Sequence, residues 1–293
     1  MKKLLPILIL LCLIFSGCGS SQPAAQVSAT TLPVYEFTSL LCEGTPITVS
    51  QLITEQVSCL HDYSLNVRQV KAAEAAELIV ISGAGLEEFL EDILHDKPIL
   101  DASSGIELLC PEEEDSHDHH EEHEGHHHDQ DPHIWLAPAN AKIMARNICD
   151  GLSLAYPQHQ ARFSANLENL LARLDALQAY GDTTLSNLSC RDLITFHDGF
   201  AYFAEAFDLT ILEAVEEESG SEASARELIH LIEEVEHHHL PAIFTEINGS
   251  VSAADIIARE TGATRFPLDM AMSGESYFDA MYYNIDRIKE ALE

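Results

Sequence analysis

Three histidines and one aspartate, His61, His133, His197 and Asp269, stand at boundaries between apolar runs and loops along the 293 residues. Three neutral imidazoles and one carboxylate make a tetrahedral, charge-reducing set for Zn(II). His133 sits in Asp-Pro-His-Ile-Trp, between a polar stretch and a helix start, and His197 directly follows the apolar run LITF. His61 lies beyond a strand-like segment in CLHDYSLN, and Asp269 follows RFPL and precedes a flexible-looking MAMSG. Such positions carry weight because open parallel sheets hold their ligands at the carboxyl ends of the strands. Each residue also has a plainer use. His61 could cap a helix or bond Asp62, and Asp269 could cap the last helix or face water. Glu246 in FTEING is a second carboxylate for the fourth position, ranked below Asp269, and Trp135 is read as packing the loop around His133.

A denser collection of imidazoles lies between the first two of these histidines. His117, His119, His120, His123, His126, His127 and His128 are interleaved with acidic residues, in a tract that cannot build an apolar core. As a surface loop it is a place for weak ion capture. His237, His238 and His239 are read as a solvated helix terminus.

The elements that must carry these side chains read as two βα regions. In the first, Ile47–Leu52, Leu78–Ser82 and Ile99–Ala102 are strand-like, and Val67–Ala76 and Leu86–Leu94 helical. A helix follows Pro138, and Pro157 opens a longer one running from Gln158 to Tyr180 and ending at Gly181, about 35 Å at ~1.5 Å per residue. Alternation then resumes: strands at Asp192–Phe196, Leu209–Ala214, Ala242–Thr245 and Thr264–Pro267, and helices at Gly199–Phe207, Glu222–Glu236, Ala253–Thr261 and Ser276–Leu292. The expected fold is α/β: two βα lobes with mainly parallel sheets, joined by a long rigid helix, with the metal cleft between them. The boundaries are 1–17 signal peptide, 18–28 linker, 29–156 first lobe with a histidine-rich loop at 112–130, 157–181 connecting helix, and 182–293 second lobe. No internal repeat is strong enough to prove duplication.

Lys2 and Lys3, the apolar run Leu4–Phe15 and the small residues before Cys18 have the form of an export signal ending at a lipid-modified cysteine. The run is too short for a good membrane span. A formal charge of -34 argues against nucleic acid and anionic membrane surfaces as partners and suits attraction of cations. Five cysteines beyond the signal, none spaced as CxxC, argue against a cysteine-rich zinc knot and leave at least one thiol unpaired within the chain.

Several separated blocks, in order, carry a resemblance: TTLPVYEF, AAELIVISGAGLEEFL, DPHIWLAPANAKIMARNI, FHDGFAYFAEAFDL, IFTEINGSVSAADIIARETGA and LDMAMSGESYFDAMYYNIDRIKEAL. From Ala29 to Leu292 the chain resembles the solute-binding lipoproteins of zinc and manganese ABC importers. The resemblance implies a metal in the cleft between two helix-linked lobes, with His61, His133, His197 and Asp269 as ligands. The family's Asp-Pro before the first histidine is replaced here by Cys59 and Leu60. The histidine-rich loop resembles that of the zinc carriers, and imidazole prefers zinc to the harder Mn(II), the alternative cargo.

The function so implied is capture of Zn(II) by an extracytoplasmic, lipid-anchored monomer that docks on an ABC permease and its associated ATPase, without catalysis. Two other classes compete. A zinc hydrolase needs an open coordination position and a general base, against which four protein ligands argue, and the chain has no GxSxG. A surface adhesin or metal buffer would rest on the polyhistidine tract alone.

Overall fold

A computed structural model of the chain describes residues 25–57, 60, 63–90, 97–109, 130–215 and 223–293. His61, the seven histidines of the tract, and Cys18, Cys59 and Cys110 lie outside them; Cys42, Cys149 and Cys190 are free thiols.

The first lobe is built on four parallel strands, β1 (Val27–Ala29), β2 (Val49–Gln51), β3 (Leu78–Ile81) and β4 (Ile99–Asp101), in the order β2-β1-β3-β4. The sheet therefore starts at Val27, two residues inside the segment read as linker. Helix α1 (Leu32–Cys42) begins with Pro33 in its first turn, where the missing N–H costs nothing. Neither β1 nor α1 was expected, because the run mixes Ser, Thr and Glu with apolar residues and lacks a clear period. β2 is half-buried, as an edge strand should be. Asn66 caps α2 (Val67–Ala75) through a reciprocal box with Gln69. Of the helix expected at Leu86–Leu94, the described part contains a single 3-10 turn, Glu88–Leu90.

After α3 (Pro138–Ala155) and a 3-10 turn at Pro157–His159, the connecting helix α4 runs from Gln160 to Thr184. Gly181 does not end it. An added Cβ there would lie 2.1 Å from the Phe207 ring, so the glycine serves close packing inside the helix rather than termination.

The second lobe repeats the first sheet's plan. Its strands β5 (Asp192–Thr195), β6 (Thr210–Ala214), β7 (Ala242–Glu246) and β8 (Thr264–Leu268) are parallel, in the order β6-β5-β7-β8. They alternate with α5 (Ala201–Ala206), α6 (Ala225–His237) and α7 (Ser252–Thr261), and α8 (Tyr277–Leu292) closes the chain.

One apolar core runs through both lobes, and a smaller one lies beneath α6 and α7. Phe37 of α1 meets the Tyr277 ring edge-on at 5.0 Å, and Arg173 of α4 stands 3.8 Å over the Phe278 ring. The lobes are thus packed against each other as well as joined by the strut.

Candidate metal centre

His133 follows Pro132 and precedes the 3-10 turn Ile134–Leu136, a position fixed by local chemistry. Asp131 Oδ1 accepts the His133 backbone N–H at 2.8 Å and lies 2.8 Å from the ring's Nδ1. An ionised carboxylate only accepts, so Nδ1 carries the hydrogen and the Nε2 lone pair points away. Trp135, fully buried, donates Nε1–H to the Met270 carbonyl at 2.7 Å, and Tyr277 donates to the Trp135 carbonyl at 2.8 Å. Trp135 also meets the His133 ring edge-on, as its packing role required.

His197 stands two residues past the end of β5. Its Nε2 lies 3.4 Å from that of His133. Zinc–imidazole bonds of about 2.0–2.1 Å at a tetrahedral angle put two ligand nitrogens ~3.3–3.4 Å apart. The two imidazoles, one from either side of α4 in sequence, are therefore spaced as ligands of one ion. A Cβ at Gly199 would come 2.7 Å from His197 Cδ2 and 3.0 Å from its Nε2, so any side chain there would push against the ring.

Glu246 ends β7 and Asp269 follows β8; both line one small cavity. Glu246 Oε1 lies 3.2 Å from His197 Nδ1, at an angle too poor for a hydrogen bond, and is buried without another donor. Burial, and secondarily the charge of Asp269, push the Glu246 carboxyl up to about 8. Burial raises Asp269 too, against the Ala271 N–H that its Oδ1 accepts at 2.8 Å. Two burdened carboxylates line one cavity, and their buried charge is of the kind that a divalent cation relieves.

Among the described residues His133 faces His197, His197 lies beside Glu246 and Glu246 shares a cavity with Asp269, and no three of the His, Cys, Asp and Glu side chains are grouped so as to hold one metal ion. His61 lies outside them. The MAMSG stretch is not flexible surface: Met270, Ala271, Met272 and Ser273 are all buried. Sequence reasoning missed Asp131 as the partner of His133, although an aspartate two residues ahead of an N–H is a recognisable turn signal. It missed the place of Glu246 against His197, for which sequence offers no local sign.

The fold is that of a two-lobed α/β binding protein whose lobes are joined by a long helix. A family model described as zinc-uptake complex component A, periplasmic, matches residues 27–291. A zinc-binding lipoprotein AdcA of Streptococcus pneumoniae is 30% identical across the whole chain, which spans 62% of that relative's length. A putative metal-binding protein of Treponema pallidum is 29% identical, over 94% of this chain and 92% of its own. A zinc-bound deletion mutant of ZnuA superposes with a TM-score of 0.76 at 28% identity, over 92% of this chain and 98% of that one. The chain belongs to the zinc-uptake complex component A family. It is an extracytoplasmic zinc-binding component of a bacterial ABC metal importer, and not an enzyme.

Proposed function

We propose that His61, His133, His197 and Asp269 hold the transported Zn(II), and that the chain, tethered through a lipid on Cys18, hands it to a membrane permease driven by its associated ATPase. The facing of the two Nε2 atoms at 3.4 Å carries this reading. Asp131 then acts behind His133, fixing its ring orientation, and Glu246 lies beside His197 rather than touching the ion. The name of the pneumococcal relative, a zinc-binding lipoprotein, supports the lipid tether and the cargo.

The histidine tract 117–128 is read as a weak collector of ions that feeds the inner site. Since all three imidazoles must be neutral to bind, affinity falls as pH drops towards and below ~6.5. Manganese is the second cargo to test, because Asp269 brings an oxygen ligand and oxygen ligands suit the harder ion.

The experiment is calorimetric competition between Zn(II) and Mn(II) on lipid-free protein lacking residues 117–128. One tight zinc equivalent, poorly displaced by manganese and lost on His133→Ala, is expected. Tight manganese binding would change the cargo. Loss of all tight binding with the tract would leave the protein a surface buffer.

A further inference from the structure

The segment between β8 and α8 carries Asp269 and is held from both lobes. From the first lobe, the Leu32 N–H donates to the Met272 carbonyl at 3.0 Å. Glu36 Oε2 accepts the Tyr277 N–H at 2.6 Å while its Oε1 lies 3.7 Å from Arg173 of the connecting helix. Trp135 holds the Met270 carbonyl. These contacts fix the segment beyond Asp269; what fixes Asp269 itself is a single side chain on α8.

Asn284 is fully buried. Its Oδ1 accepts the Asp269 N–H at 2.7 Å, and its Nδ2 donates to the Asp269 carbonyl at 2.7 Å. Both backbone groups of one residue are thus satisfied by one amide, which fixes that peptide in position and orientation. The Asp269 side chain then turns back on its own strand end, Oδ1 accepting from Ala271, itself at φ 54. The carboxamide supplies the donor and the acceptor together, on two separate atoms. A leucine of similar volume offers neither, and an aspartate offers an acceptor alone.

We propose that Asn284 is a positioning residue for metal capture, holding the Asp269 backbone so that its carboxylate is presented at the cavity shared with Glu246. The inference rests on Asp269 as a ligand. Asn284 acts on the ion only through Asp269, and that distinguishes it from a residue that merely stabilises α8.

The test is a double-mutant cycle on the full chain, reading zinc affinity by competition with a chromogenic chelator and folding by thermal unfolding. Asn284→Leu should weaken zinc about 10- to 100-fold, the range seen when groups supporting a metal ligand are lost. Asn284→Asp, which keeps the acceptor, should weaken it less. In an Asp269→Ala background, Asn284→Leu should change zinc affinity by less than about twofold, because the coupled residue is already gone. Equal losses in both backgrounds would overturn the proposal and make Asn284 purely structural. An Asp269→Ala variant with unchanged zinc affinity would instead overturn the ligand assignment beneath it. Should Asn284→Leu fail to fold, the same cycle run with Asn284→Asp decides between these outcomes.

Discussion

The two lobes use one strand order for opposite ends. In the second lobe, the strand ends present His197 beyond β5, Glu246 at the end of β7 and Asp269 beyond β8. In the first, the corresponding places after β1 and β3 hold Thr30, Thr31 and Ser82, whose polar groups are consumed locally. Thr31 Oγ1 pairs with Ser82 Oγ at 2.8 Å, and Thr30 donates to Glu87 Oε1 at 2.6 Å. Each lobe buries one glutamate at this end. Glu87 accepts three hydrogen bonds, from Thr30, Ser82 N–H and Gly83 N–H, whereas Glu246 Oε1 accepts none. The same sheet thus yields a satisfied, structural polar cluster in one lobe and an unsatisfied one, able to respond to a cation, in the other. The first lobe's described imidazole, His133, comes from outside its sheet, on the approach to α3.

The sharpest way to break this contrast is to remove an imidazole. His197→Ala, or His133→Ala, should weaken zinc by roughly 100-fold or more, since half of the facing pair disappears. Chelator competition measures it, and a loss below tenfold would mean the pair is not the centre of the site. The two buried glutamates should come next. Glu246→Gln should cost about 10- to 100-fold in zinc affinity by removing the buried carboxylate charge beside His197 and Asp269, whereas Glu87→Gln should stay within about twofold of the parent. Comparable losses in both would erase the distinction between the lobes.

Glu87 makes its mark on stability instead. Burial, opposed by its three hydrogen bonds, pushes it up from the ordinary 4.5 to about 7. Between those values the folded chain binds more protons than the unfolded one, so stability from this group falls as pH rises through the window. The full effect is on the order of 3 kcal/mol, from ~1.4 kcal/mol per pKa unit. Urea unfolding of metal-free protein at pH 5 and pH 8 should show a smaller loss on alkalinisation for Glu87→Gln than for the parent. Glu246 contributes in the same direction in both, so the difference between the two proteins isolates Glu87. Equal losses would mean that Glu87 stays ionised in the fold throughout this range.

Much of this arrangement is legible in the chain. Short apolar runs such as LIVI and AIF announce buried parallel strands, and one histidine motif, at His197, falls just past such a strand. What sequence could not show is what depends on contacts distant along the chain. Gly181 reads as a terminator until Phe207 is seen against it, and MAMSG reads as a loop until Trp135 and Leu32 are seen holding it. Glu246 is an ordinary strand-end acid until His197, 49 positions earlier, is folded beside it. Asn284 looks like any polar helix residue until its two bonds to Asp269 are counted.

The smallest effect should come from the first lobe's hydroxyl pair. Thr31→Val keeps the shape of the side chain and leaves the Ser82 hydroxyl buried without its partner, a cost of ~1–3 kcal/mol in stability. Zinc affinity should not move measurably if these hydroxyls only close the strand ends. The sensitivity of this test lies in the neighbouring residue: Leu32, the next along the chain, holds the Met272 carbonyl in the segment that follows Asp269. A several-fold loss of zinc affinity in Thr31→Val, alongside the stability cost, would show that the first lobe's closed polar cluster reaches the site through that bond. The contrast between the lobes would then be one of distance from the ion rather than of function.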